Sequence, residues 1–146
     1  MFRSSIAAIL LACVFTGCDS SPDEVAAIIT TDSVRVNNCI VYNHPAGQRT
    51  ICLDSVTLDS RCPVGMACIR AGEGVCRFVV KRNGDSATVT LATIPFTLGP
   101  GKYPKEAAAL DVKIKLVGLT PTPSNIYPPP YTPPYIEYKA FLEIAP

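Results

Sequence analysis

The stretch DSRCPVGMACIRAGEG, residues 59–74, holds Cys62 and Cys68 with five residues between them, Pro63 and Gly65 included. Two sulfurs so placed have three chemical uses: gripping a metal, cycling between thiol and disulfide, or closing a loop. A catalytic dithiol needs the tighter C-x-x-C spacing, and a zinc site needs further Cys or His at paired short spacings. Neither pattern is present. Met66 adds a soft sulfur between the two cysteines, but soft-metal binding needs free thiolates, which a disulfide removes. The spacing therefore predicts a Cys62–Cys68 disulfide around a tight Pro/Gly loop, stabilising by roughly 2–3 kcal/mol on the chain-entropy model.

Other chemistry has little to stand on. His44 is the only histidine, beside Pro45 and Gly47 in a turn-like stretch, so every histidine-dependent mechanism rests on it. No G-x-S-x-G signature accompanies it. Asp54, Asp59 and Glu73 are the acids around the cysteine loop, and spacing along a loop does not make a carboxylate pair for glycoside chemistry. Asp59 and Arg61 read as loop hydrogen bonding or a surface ion pair. The expectation is a non-catalytic protein with no metal and no cofactor.

The N-terminus sets the compartment in which these cysteines fold. Met1-Phe2-Arg3 is a short cationic start, followed by an apolar run of ten, Ile6 to Phe15. A bilayer span takes roughly 20 apolar residues, so the run fits a signal peptide instead. Thr16-Gly17-Cys18 and the polar stretch after it resemble a bacterial lipobox, in which a small residue precedes the cysteine that is acylated and becomes the new N-terminus. The usual Leu three places before the cysteine is Phe15 here. Leu10-Leu11-Ala12-Cys13 is a competing match with fewer apolar residues ahead of it, and an ordinary secretory signal cleaved nearby is a further alternative. The reading adopted is a lipoprotein signal peptide over 1–17, a lipidated Cys18 with a tether over 18–24, and a domain over 25–146. Two or more acyl chains suffice for stable membrane anchoring.

The elements that must position the cysteine loop read as strands. Val112, Ile114 and Leu116 alternate with Asp111, Lys113 and Lys115, and Ile136, Tyr138, Ala140, Leu142 and Ile144 repeat the period-two pattern. Val75 to Arg82 and Ser86 to Thr93 flank Asn83-Gly84-Asp85, a hairpin signal because Asn and Gly tolerate positive φ. Val34 to Tyr42 and Thr50 to Leu58 form another pair around residues 43–47, while Lys105 to Leu110 is Ala-rich and invites a short helix. Six to seven short strands with turns between them predict an all-β fold, an antiparallel β-sandwich or open barrel. With 13 Lys and Arg against 12 Asp and Glu, the chain offers no electrostatic case for nucleic acid.

Asp59-Ser60-Arg61-Cys62-Pro63, then Cys68, then Ala71-Gly72-Glu73, resembles the DSRCP…C..AGE signature of a family of small, largely uncharacterised bacterial lipoproteins. Leu116 to Pro123 and Tyr138 to Leu142 are similar to that family's closing pair of strands, so the resemblance runs from about Val34 to Ile144. It implies a strand before the motif and another after it, an envelope location, and no particular activity. One position departs: two residues after the second cysteine the family usually has Trp, and this chain has Arg70.

Three cysteines lie outside that signature. Cys76 shares a strand face with Phe78 and Val80, and Cys39 and Cys52 fall on strands expected to be hairpin neighbours. That relation favours Cys39–Cys52 and leaves Cys76 a buried thiol. Cys39 could instead pair with Cys76, and a further alternative is that all three serve as small apolar residues. Eight of the 14 prolines follow Leu119, most in Tyr127-Pro-Pro-Pro-Tyr131-Thr-Pro-Pro-Tyr135. Such a segment favours polyproline II, either as a stiff crossover between the last two strands or as a ledge of Tyr127, Tyr131 and Tyr135 for a glycan or partner loop.

The sequence thus predicts a lipid-anchored, disulfide-containing sandwich in a bacterial cell envelope, at the outer membrane or the periplasmic face of a membrane. It would act as a binding or structural module with an envelope protein or glycan as partner. A second reading is a protease-inhibitor-like sandwich that presents the cysteine loop or the proline loop to a cleft.

Overall fold

The computed structural model describes residues 29–94, 103–123 and 137–146. The signal peptide, Cys18 with its tether, and Tyr127, Tyr131 and Tyr135 lie outside the described residues.

Among the described residues, eight antiparallel strands form two four-stranded sheets that do not close into a barrel. One sheet runs β1 (Thr30–Arg35), β8 (Lys139–Ala145), β7 (Val112–Thr120), β6 (Glu106–Ala109). The other runs β2 (Cys39–His44), β3 (Gly47–Asp59), β4 (Gly74–Arg82), β5 (Asp85–Ala92). The period-two faces read from the sequence point inward: Val112, Ile114 and Leu116 from β7 meet Ala140, Leu142 and Ile144 from β8 beneath Leu53, Phe78 and Val80 of the opposite sheet. Each fully buried aliphatic or Phe side chain of this kind contributes about 1.5–3 kcal/mol relative to exposure.

Two expectations are corrected. Val34 to Tyr42 is not one strand. Asn37 adopts φ 62° and the chain crosses there from β1 in one sheet to β2 in the other. The Ala-rich 105–110 stretch is not helical. Its residues Glu106 to Ala109 pair with β7, because Leu110 and Asp111 (φ 48° and 67°) form a two-residue turn that folds the chain straight back. A run this short cannot nucleate a helix against such a hairpin. The short β6 and the separate β1 bring the strand total to eight.

The sandwich has two distinct ends. Where β1 begins, the β2–β3, β4–β5 and β6–β7 turns cluster around Arg49, a charged residue only 1% exposed. Its Nε donates to the Leu110 carbonyl at 2.9 Å and its Nη1 to the Gly47 carbonyl at 2.7 Å, so it ties one sheet to the other. Asp111 lies 3.6 Å from Arg49 Nη2 and 2.5 Å from Arg82 Nη1. A buried charge persists only when paired and hydrogen-bonded in this way. At the opposite end the chain leaves β3 at Asp59 and returns at Gly74, which is where the cysteine loop sits.

Candidate functional site: a braced loop at one end of the sandwich

The cysteine motif builds a neck and a loop. At the neck, Ser60 N–H donates to the Glu73 carbonyl at 2.8 Å, and Glu73 N–H donates back to Ser60 Oγ at 3.1 Å. Gly72 passes so close that a Cβ there would stand 1.5 Å from the Ser60 carbonyl oxygen. Gly74 is also constrained, since its Cβ would meet Leu119 Cδ2 at 2.8 Å. The A-G-E-G half of the motif therefore exists to let two backbone segments touch. The Glu73 side chain adds a buried Oε2 with no hydrogen-bond partner among the described residues.

Arg61 locks the neck to the other sheet. Its Nε and Nη2 each donate to one Asp59 oxygen at 2.8 Å, a two-pronged ion pair, and its Nη groups also donate to the carbonyls of Leu119 and Pro121. The side chains of Arg61 and Asp59 are 13% and 11% exposed. The pair is thus sunk into the end of the sandwich: of the two expectations, loop hydrogen bonding holds and a surface ion pair does not. Planar guanidinium matched to carboxylate gives orientation as well as energy.

Behind this pair stand Cys76, fully buried and the one free thiol among the described cysteines, and Tyr138. Burial pushes the Cys76 thiol up to about 12, with Arg61 opposing and Asp59 adding to the shift. Burial first, then the neighbouring Asp59 carboxylate, push the Tyr138 phenol up to about 12. Both are acids that the fold holds protonated, so the folded chain keeps protons that the unfolded chain releases from about pH 9 upward. Their stabilising contribution is whole below that pH and is lost as the pH rises toward 12. Urea midpoints measured between pH 8 and 11.5 should fall, and Tyr138→Phe and Cys76→Ala should each flatten the decline. A midpoint that stays level in the unsubstituted chain would contradict this.

The neck presents the loop. Cys62 and Cys68 form the expected disulfide, and the Cys62 side chain reaches the Met66 carbonyl at 3.3 Å. Val64 N–H donates to the Pro123 carbonyl at 3.1 Å, so the loop is also pinned from outside. Between these braces Val64, Met66 and Ile69 project into solvent, Ile69 fully exposed. Arg70, in the position where the resembled family has Trp, is exposed beside it. The second disulfide joins Cys39 to Cys52, directly opposite each other on β2 and β3. His44 stands apart at the other end, its Nδ1 accepting the Ala46 N–H at 3.0 Å. No group of three or more Cys, His, Asp or Glu with metal-ligand geometry occurs among the described residues.

Sequence reasoning found the loop, both disulfides and the inward Cys76. It missed Tyr138, Gly74 and the Leu119 and Pro121 carbonyls, which reach the neck from distant strands and leave no local signal. The molecule is an antiparallel sandwich bearing a disulfide-braced, apolar-tipped loop. Comparison of the chain with protein-family models, curated proteins and solved structures finds no match.

Proposed function

We propose that this chain is a lipid-anchored lipoprotein of a bacterial cell envelope, held to a membrane by acyl chains on Cys18, whose domain binds an envelope protein without catalysing a reaction. The observation that carries the binding reading is the loop: three large apolar side chains held out in water by a disulfide and a locked neck. Exposing Val64, Met66 and Ile69 together brings no stability to the domain, whereas bracing them lowers the ordering entropy lost on binding. The polarity of the sandwich supports the anchored reading. β1 begins at the end opposite the loop, and its six residues span roughly 20 Å, so a tether entering at Thr30 leaves the loop on the side away from the membrane.

Intact mass of the membrane-isolated chain tests the anchor: acyl mass on a chain beginning at Cys18 is expected, and an unlipidated chain would overturn it. The binding reading is tested by placing a photo-crosslinking residue at Ile69, with Lys113 at the other end as control. Adducts from Ile69 alone, lost when Val64 and Met66 are both replaced by Ser with the fold intact, are expected. Equal labelling from both positions would sink the idea.

The same brace favours one narrower reading, a protease-inhibitor-like loop inserted into an enzyme cleft. It demands inhibition of some protease at one-to-one stoichiometry, abolished by the same substitutions.

A further inference from the structure

We propose that the free edge of β2 is a strand-addition site for an extended peptide that carries an acidic side chain. This surface lies apart from the braced loop and does not depend on it. Of the four edge strands among the described residues, three are blunted against pairing. β6 has four residues and carries Glu106. In β1 the Asp32 carboxylate takes up the Ser33 N–H at 2.6 Å. β5 opens with Asp85, and its last N–H, from Ala92, is taken by the Pro104 carbonyl at 2.9 Å.

β2 has none of these devices. Its residues Cys39-Ile40-Val41-Tyr42-Asn43-His44 include no Lys, Arg, Asp, Glu, Pro or Gly, and its register against β3 is unbroken. An edge without charge, proline or bulge is the kind that accepts another strand. The alternation of antiparallel pairs says which groups are free. Cys39 and Cys52 are 3.9 Å apart at Cα, the narrow spacing of a pair that exchanges no hydrogen bonds. Cys39, Val41 and Asn43 therefore turn their N–H and C=O outward, and none of them makes a backbone bond elsewhere among the described residues. Val41 is 56% exposed on this strand.

The chemistry beside the edge selects the guest. A cleft of about 390 Å³ opens between β1 and β2, lined by Arg35, Asn38, Ile40 and Lys139 among others. Arg35 is paired with Glu137 at 3.0 Å, while Lys139 faces the Phe141 ring at 5.2 Å and has no carboxylate partner among the described residues. An added strand would direct alternate side chains into this cleft. The uncompensated Lys139 there favours a carboxylate.

The test uses the purified full chain and a displayed library of random nine-residue peptides, followed by hydrogen exchange with the best synthetic binder. Enriched peptides should carry Asp or Glu, and binding should slow exchange of the Cys39, Val41 and Asn43 amides at least tenfold. Val41→Pro should weaken binding at least tenfold, with Val41→Lys as the second variant should the proline disturb the sheet. Lys139→Glu should cost the acidic peptide about tenfold and leave its glutamine counterpart unaffected. The proposal is overturned by an absence of enriched peptides, by protection located on residues 62–70 instead, or by β2 amides that already exchange slowly in the free chain.

Discussion

Gly72→Ala is expected to destabilise the domain by roughly 3 kcal/mol, at or beyond the upper range for overpacking. The reason is geometric. The new methyl would stand 1.5 Å from the Ser60 carbonyl oxygen, 2.2 Å from its carbon and 2.9 Å from the Arg61 nitrogen, all backbone atoms that cannot rotate away. Accommodating it means parting residues 59–61 from 71–74, with loss of the reciprocal Ser60–Glu73 bonds. Urea unfolding gives the stability change, and limited proteolysis should show cleavage in residues 62–70 that the unsubstituted chain resists. Gly65→Ala is the control: nothing lies within 4 Å of its Cβ, but φ is +81°, so only the left-handed backbone cost of about 1 kcal/mol applies. Equal effects at the two positions would mean that the neck is not closed as described.

Arg61→Met is expected to cost about 3–5 kcal/mol, the range for breaking a buried ion pair from one side. The substitution strands the Asp59 carboxylate, 11% exposed, and removes the donor to the Leu119 and Pro121 carbonyls. Adding Asp59→Leu should recover part of the loss, because replacing both partners by apolar groups removes the uncompensated charge. The double-mutant cycle reads the coupling directly. A single-variant cost below about 1 kcal/mol, as for an exposed pair, would contradict the burial of Arg61.

What the sequence disclosed, and what it hid, follows from range. The hairpin at Asn83-Gly84-Asp85 and the alternation in β7 and over residues 138–144 are local, and both stand in the structure, with Asp85 already the first residue of β5 and Ile136 outside the described residues. Cys62–Cys68 closes over five intervening residues and was equally legible. Arg49 was not: among the alternating residues of β3 nothing marks it as the charge that enters the core, since its partners, Leu110 and Asp111, sit on the other sheet. The Ala-rich 105–110 stretch misled for a related reason. Helix propensity is a local preference, and here pairing with β7 overrode it. The burial of Asp59 with Arg61 depends on Leu119, Pro121 and Tyr138, which a reading of residues 59–74 alone does not contain.

The two irregularities in β3 bear on that burial. Its register against β4 slips once between Leu53 and Ser55 and again between Val56 and Leu58. Each slip adds one residue to β3. Leu53, opposite Phe78, and Asp59, opposite Gly74, end on the same side. β3 thus carries two residues more than β4 between the same two ends. Removing the extra residue at either slip would straighten β3 there and keep Asp59 opposite Gly74, so the carboxylate would stay on the side of Arg61 while the bend of the strand is lost.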